Sequence, residues 1–147
     1  MSDPSPKSAT TTILIADDDA TLRAIAVELL SGEGYRVLEA EDGHKALSLV
    51  EAERIDLIVL DMLMPNKDGL ETIIELRRRR CGVRILAISS GGSMDVDSLL
   101  RPALAFGADR VMAKPLRITT FASTIAEMLS RPLAATSPFV ELENPST

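Results

Sequence analysis

Short runs of apolar residues alternate along the chain with segments in which apolar residues recur every three or four positions. The runs are continuous and end in polar or turn residues, so they predict strands at 13–16, 37–40, 57–60, 85–88 and 111–113. The segments between and after them predict helices near 22–30, 46–52, 70–76, 99–106 and 121–129. Gly107 marks the end of the fourth helix.

This alternation predicts one α/β domain spanning residues 13–130, with a doubly wound five-stranded parallel sheet and five helices. The short strands are apolar throughout, as expected for parallel strands buried on both faces. Residues 1–12 are rich in Ser, Thr and Pro and predict a flexible leader. Residues 131–147 predict a tail that is either flexible or docks locally through Phe139, Val140 and Leu142.

Composition narrows the class of protein. The chain has 147 residues and a formal net charge of −6, which argues against a general nucleic-acid binder. Its one cysteine, Cys81, excludes an intramolecular disulfide framework. No apolar stretch approaches the length of a membrane span, so we expect a cytoplasmic protein without a membrane anchor.

Polar residues gather where the predicted strands end. Asp17 and Asp18 follow the first strand, Asp61 follows the third, Ser89 follows the fourth, and Lys114 follows the fifth. Because ligands of open parallel sheets bind at the carboxyl ends of the strands, these side chains predict one site.

The charges suggest the chemistry of that site. Converging carboxylates repel each other by about 4 kcal/mol per close pair at an effective dielectric near 20, so folding needs a compensating cation, raised pKa values or pairing with Lys114. Mg²⁺ (or Mn²⁺) suits a set of oxygen ligands. Lys114 and the Ser89 hydroxyl are groups that bind phosphoryl oxygens, which favours phosphoryl transfer onto a carboxylate.

Each feature also has a simpler interpretation. Asp17 and Asp18 could favour a helix amino terminus, Ser89 could belong to a turn, and Lys114 could be a solvated lysine. The arginines at 77–80 are interpreted as complementing the carboxyl end of the third helix. However, the acidic residues, the serine and the lysine all occur at strand ends. We therefore favour the interpretation that they form one site.

These residues, in this order, resemble the receiver domain of bacterial two-component response regulators, in its stand-alone, chemotaxis-type form. The resemblance covers roughly residues 13–129 and includes Met64-Pro65 and Asp68-Gly69. It implies a flavodoxin-like (βα)5 fold and a role for each matching position. Asp17 and Asp18 match the acidic pair that holds the metal together with Asp61, and Asp61 also matches the phospho-acceptor. Leu63 matches the residue whose backbone carbonyl binds the metal. Ser89 matches the switch residue, Lys114 matches the phosphoryl-binding lysine, and Pro115 matches the proline that follows a cis peptide bond.

The resemblance also implies partners. A histidine kinase or histidine phosphotransfer protein would donate the phosphoryl group to Asp61. Phosphorylation would then change binding to a downstream protein, through the face formed by the fourth helix, the last strand and the fifth helix. We expect no output domain, no direct DNA binding, no membrane contact, and no catalysis beyond the protein's own phosphorylation and dephosphorylation.

Two positions depart from the family pattern. Val111 stands where many receivers carry Tyr or Phe, and Pro102 lies within the predicted fourth helix, which should therefore start late or kink. A receiver-like adaptor that signals by binding alone is an alternative function. A phosphohydrolase is disfavoured, because Leu63 stands where its second aspartate would be.

Overall fold

The computed structural model describes residues 10–63, 69–79, 82–89 and 96–130. Most of the predicted leader, the predicted tail, the 64–68 part of the family motif and Cys81 lie outside the described residues. The elements in chain order are β1 (Thr12–Ala16), α1 (Ala20–Gly32), β2 (Arg36–Ala40), α2 (Gly43–Ala52), β3 (Leu57–Asp61), α3 (Gly69–Arg78), β4 (Arg84–Ser89), a π-helical turn (Val96–Leu100), α4 (Arg101–Phe106), β5 (Arg110–Ala113) and α5 (Ile118–Ser130).

The five strands form one parallel sheet in the order β2-β1-β3-β4-β5. This confirms the predicted doubly wound sheet. Strand boundaries differ from the predicted ones by a residue, because backbone pairing continues past the last apolar side chain. β1 thus begins at Thr12, and β3 includes Asp61 itself. None of the helices in the described part of the chain is both long and apolar enough to cross a membrane.

Successive side chains of each central strand enter two separate hydrophobic cores, as the period of a strand requires. One core takes Leu14, Ile58 and Ile85 and packs against residues of α2, α3 and α4. The other takes Ile13 and Val59, with their neighbours, and packs against α1 and α5. The sheet is therefore covered on both faces, which explains why its strands are apolar throughout.

The fourth helix starts late, as Pro102 predicts. A single π-helical turn over Val96–Leu100 leads into α4, which begins at Arg101. Pro102 thus lies at the second position of α4, within the first turn, where proline is tolerated. Gly107 ends the helix with φ of +133°, a conformation that favours glycine.

Arg77 has a role that the interpretation of the 77–80 run did not include. Its guanidinium donates hydrogen bonds to the backbone oxygens of Val83 and Gly107, at 2.8 and 2.9 Å, and to Asp109 Oδ2 at 3.0 Å. It therefore connects the end of α3 to the residues before β4 and after α4. Arg79 pairs with Glu75, one turn back on α3.

Gly69 lets the first turn of α3 press against the end of β3. A Cβ at this position would lie 2.6 Å from the Met62 Cα and 2.7 Å from the Asp61 backbone oxygen. Both are backbone atoms and cannot rotate away. The close contact, rather than a special backbone angle, explains the glycine.

We predict that Gly69→Ala destabilises the protein by about 1–3 kcal/mol, because the added methyl group must displace the backbone that carries Asp61. Urea unfolding at fixed pH would measure the effect. Gly82→Ala is the matched control, since a Cβ there meets no atom within 4 Å. Equal stability of the two variants would contradict the proposed contact.

Candidate functional site

Strand register aligns the predicted site residues along one edge of the sheet. Ala16 pairs with Leu60, so Asp17 follows β1 directly beside Asp61 at the end of β3. On the other side of β3, Asp61 pairs with Ile88. The Lys114 N–H donates to the Ser89 backbone oxygen at 2.6 Å, which brings the lysine next to the end of β4.

Asp17, Asp18 and Asp61 converge at this edge. Each offers a carboxylate oxygen, and the three oxygens lie within 4.8 Å of one another. Asp17 is fully buried and Asp61 is 3% exposed, whereas Asp18 is exposed. Two of the carboxylates are therefore removed from water, and the third faces it.

Two backbone amides and one lysine hold the buried carboxylates in place. Asp17 Oδ1 accepts a hydrogen bond from the Asp19 N–H at 2.9 Å, and Asp61 Oδ1 accepts one from the Leu63 N–H at 3.1 Å. The second oxygen of each carboxylate faces Lys114, whose Nζ lies 3.0 Å from Asp17 Oδ2 and 3.7 Å from Asp61 Oδ2.

These contacts leave the charge at the site unbalanced. Burial raises the pKa of Asp61 to about 7; the Leu63 N–H opposes the shift, the charge of Asp17 adds to it, and the charge of Lys114 opposes it. Burial alone would lower the pKa of Lys114, but the hydrogen bond to Asp17 and the charge of Asp61 together raise it. The Lys114 ammonium group thus contacts the two buried carboxylates of a cluster that holds three.

Such a donor set fits a hard divalent cation. Its ligand atoms are carboxylate oxygens, with no nitrogen or sulfur donor among the grouped residues, which is the preference of Mg²⁺ rather than of softer metals. Asp18 is open to solvent, so a cation can enter and keep part of its water shell.

The remaining predicted residues lie around this cluster. Ser89 is buried at the end of β4, and its backbone pairs with Ala113, next to Lys114. Leu63 lies two residues after Asp61, just past β3, and is half exposed. The peptide bond between Lys114 and Pro115 is cis, the isomer that the resemblance implies.

Sequence analysis missed Arg23, on the first turns of α1. Its guanidinium donates to the Asp17 backbone oxygen at 2.8 Å and pairs with Glu39 of β2 at 3.0 Å. It therefore fixes the backbone of the acidic pair against the sheet. The sequence places Arg23 six residues after Asp17 on the predicted first helix. That position alone does not distinguish it from an ordinary solvated arginine.

The fold and this acidic edge together define a flavodoxin-like α/β domain of the receiver class. The sequence model of the response regulator receiver domain matches residues 13–126, and the chain belongs to that family.

Individual relatives agree with this assignment. The chain is 37% identical over 119 residues to the transcriptional regulatory protein CpxR of Klebsiella pneumoniae, covering 81% of this chain and 49% of CpxR. It is 31% identical over 117 residues to sporulation initiation phosphotransferase F of Bacillus subtilis, covering 80% of this chain and 92% of that protein. The chain thus spans about half the length of the transcriptional regulators it matches, but nearly all of the phosphotransferase.

A solved structure gives the same result. The response regulator TrrA of Thermotoga maritima, crystallised in complex with Mg²⁺ and BeF, superposes with a TM-score of 0.71 at 28% identity. The match covers 82% of this chain and all of TrrA.

The raised pKa of Asp61 predicts how the metal-free protein responds to pH. This pKa rises from 3.8 to about 7 on folding, so the ionised carboxylate lowers the free energy of unfolding. The loss of stability is complete above about pH 7 and becomes smaller as the pH falls towards 3.8. In EDTA at pH 8, Asp61→Asn should therefore stabilise the protein by on the order of 2–4 kcal/mol, with a smaller gain at pH 5.

Thermal melts of wild type and variant at both pH values measure this difference. Asp18→Asn is the matched control: it removes the same charge from an exposed position and should raise the melting temperature less. A lower melting temperature for Asp61→Asn at pH 8 would show that the ionised carboxylate is favoured by its surroundings.

Proposed function

We propose that the protein is a phosphorylation-controlled signalling domain that takes a phosphoryl group from a histidine kinase or histidine phosphotransfer protein onto Asp61. The observation that carries this proposal is the position of Asp61. It is a nearly buried carboxylate at a strand end, beside Lys114 and within reach of two further aspartates. We propose the cytoplasm as its location and residues 13–130 as the receiver unit, with residues 131–147 as an appended tail.

The two oxygens of Asp61 support different roles. Oδ1 is held by the Leu63 N–H, whereas Oδ2 faces the ammonium group of Lys114. Oδ2 would attack the phosphorus of a phosphohistidine; the P–O bond forms, the P–N bond breaks, and the leaving imidazole nitrogen takes a proton from solvent. Lys114 and the Ser89 hydroxyl would bind the oxygens of the transferred group.

Asp18, Asp61 and the Leu63 backbone carbonyl would hold Mg²⁺ (or Mn²⁺), with Asp17 acting through a bound water. When bound, the cation offsets the charge that the incoming phosphoryl oxygens add to the carboxylates. The complex of TrrA with Mg²⁺ and BeF supports this assignment by analogy. Asp17 would also keep the Lys114 ammonium within reach of Asp61, since it contacts the same Nζ.

The output surface would be the face formed by α4, β5 and α5. Val111 is almost fully buried on β5, in the place where the family resemblance implies an aromatic switch. A conformational change at Ser89 would therefore reach this face through the short α4 and the turn before it, and not through the movement of an aromatic side chain. We expect a protein as the downstream target, with no direct DNA binding by this domain.

Asp61 should be the position that becomes phosphorylated. Incubation with acetyl phosphate and Mg²⁺ should add one base-labile phosphoryl group, seen by intact-mass spectrometry, and chelation of the metal should prevent the addition. Asp61→Asn should show no addition because an amide oxygen is a poor nucleophile.

Asp56→Asn is the control for that experiment, because Asp56 lies before β3, at the opposite edge of the sheet, where its carboxylate accepts the Thr12 N–H. It should be phosphorylated like wild type. Full phosphorylation of Asp61→Asn would place the acceptor elsewhere, and no phosphorylation of wild type by any donor would favour the adaptor function.

The phosphorylated state should be long-lived. Hydrolysis needs a water in line with the phosphorus, and Leu63, half exposed two residues after the acceptor, offers no polar group to orient it. Gly91, which the resemblance places on the opposite side of the site from Leu63, lies outside the described residues. Leu63→Asn should therefore hydrolyse the acyl phosphate several-fold faster, measured as the decay of phosphorylated protein at saturating Mg²⁺.

Leu63→Ala separates water orientation from simple removal of bulk, and it should decay at nearly the wild-type rate. If Leu63→Asn and Leu63→Ala accelerate hydrolysis equally, the access of water to the phosphorus limits the rate, and the proposed lack of water orientation is wrong.

A further inference from the structure

We propose that residues 138–143 of this chain dock in an apolar groove between α1 and α5. The groove has a volume of about 420 Å³ and ends beside the acidic site. Its apolar wall is formed by Leu22, Ile25, Leu29, Pro115, Ile118 and Phe121. We call it the α1–α5 groove. The inference is independent of the proposed phosphorylation.

Two large apolar side chains are exposed together in the α1–α5 groove. Ile25 on α1 is 55% exposed and Ile118 on α5 is 59% exposed, and both line the groove. They are two of the five large apolar side chains exposed in the described part of the chain. Contiguous apolar surface of this kind marks a binding surface more often than scattered single residues do.

The C-terminal segment starts in the right place to reach the groove. The described chain ends at Ser130, the last residue of α5, whose first turn forms one groove wall. Running back along α5 to Ile118 requires about 18 Å at the rise of an α-helix. Phe139 is nine residues past Ser130 and can reach about 30 Å in an extended chain, whereas Leu133 can reach only about 10 Å.

The segment has the composition of an apolar ligand. Phe139, Val140 and Leu142 are three apolar residues within four positions, in a stretch otherwise made mostly of Pro, Ser, Thr, Ala and acidic residues. Pro138 precedes them, and because a proline ring fixes its own φ, less conformational entropy is lost when such a segment docks. Because the segment is tethered, its effective concentration is on the order of millimolar, so weak affinity is sufficient.

Charge makes a smaller contribution than apolar contact. Glu141 and Glu143 would lie near Lys114, which lines the upper end of the groove, but Asp19 lines the same end. We therefore assign the binding mainly to burial of Phe139 and Leu142. Lys114 also contacts Asp17 and Asp61, so a docked segment would lie next to the acidic site.

Paramagnetic relaxation enhancement tests this proposal on the full chain. A spin label is attached at Ser137→Cys in a Cys81→Ser background, and methyl signals are compared with the label oxidised and reduced. Ile25 and Ile118 should lose most of their intensity. Ile74, an exposed isoleucine on α3 across the sheet, should keep its intensity and is the internal control.

Two substitutions identify the docking residues. Phe139→Asp should restore the Ile25 and Ile118 signals, whereas Leu133→Asp, too few residues past α5 to reach Ile118, should not. Equal signal loss at Ile74 and Ile25, or no loss at Ile25, would overturn the proposal. A further test mixes spin-labelled chains that carry no isotope with isotope-enriched chains that carry no label. Loss of the Ile25 signal in that mixture would also overturn the proposal, because the segment of a second copy would then occupy the groove.

Discussion

The structure depends on like charge buried at the ends of two neighbouring strands. Asp17 and Asp61 are almost completely removed from water, and the Lys114 ammonium group contacts both of them. Burial of an ionised carboxylate is costly unless it is paired, so the raised pKa of Asp61 follows directly from this arrangement. The site is thereby suited to a divalent cation, which would offset the negative charge of the phosphoryl group that we propose it accepts.

Much of the fold serves to impose that arrangement. Parallel pairing sets Ala16 beside Leu60 and so forces the two aspartates together. Gly69 brings α3 against the backbone of Asp61, and Arg23 fixes the backbone of Asp17. The hydrophobic cores on both faces of the sheet stabilise the domain enough to hold charges that, taken alone, oppose folding.

The sequence predicts the sheet, the helices and the convergence of Asp17, Asp18 and Asp61, because apolar period and strand-end position are local signals. It also predicts the late start of α4, since Pro102 acts on its own backbone. It does not predict that Arg77 connects the ends of three elements, or that Gly69 lies against the backbone of Asp61. Nor does it show the α1–α5 groove. These features depend on distances between segments remote in sequence.

The pKa of Asp61 is the most direct measure of this account. It can be followed by carboxyl ¹³C NMR across a pH titration, first with EDTA and then with saturating Mg²⁺. We expect the Asp61 carboxyl to titrate near pH 7 without metal, and its pKa to fall clearly when Mg²⁺ is added. Titration at the ordinary value of 3.8 without metal, or no change on adding Mg²⁺, would show that the buried charge is already balanced and would contradict the account.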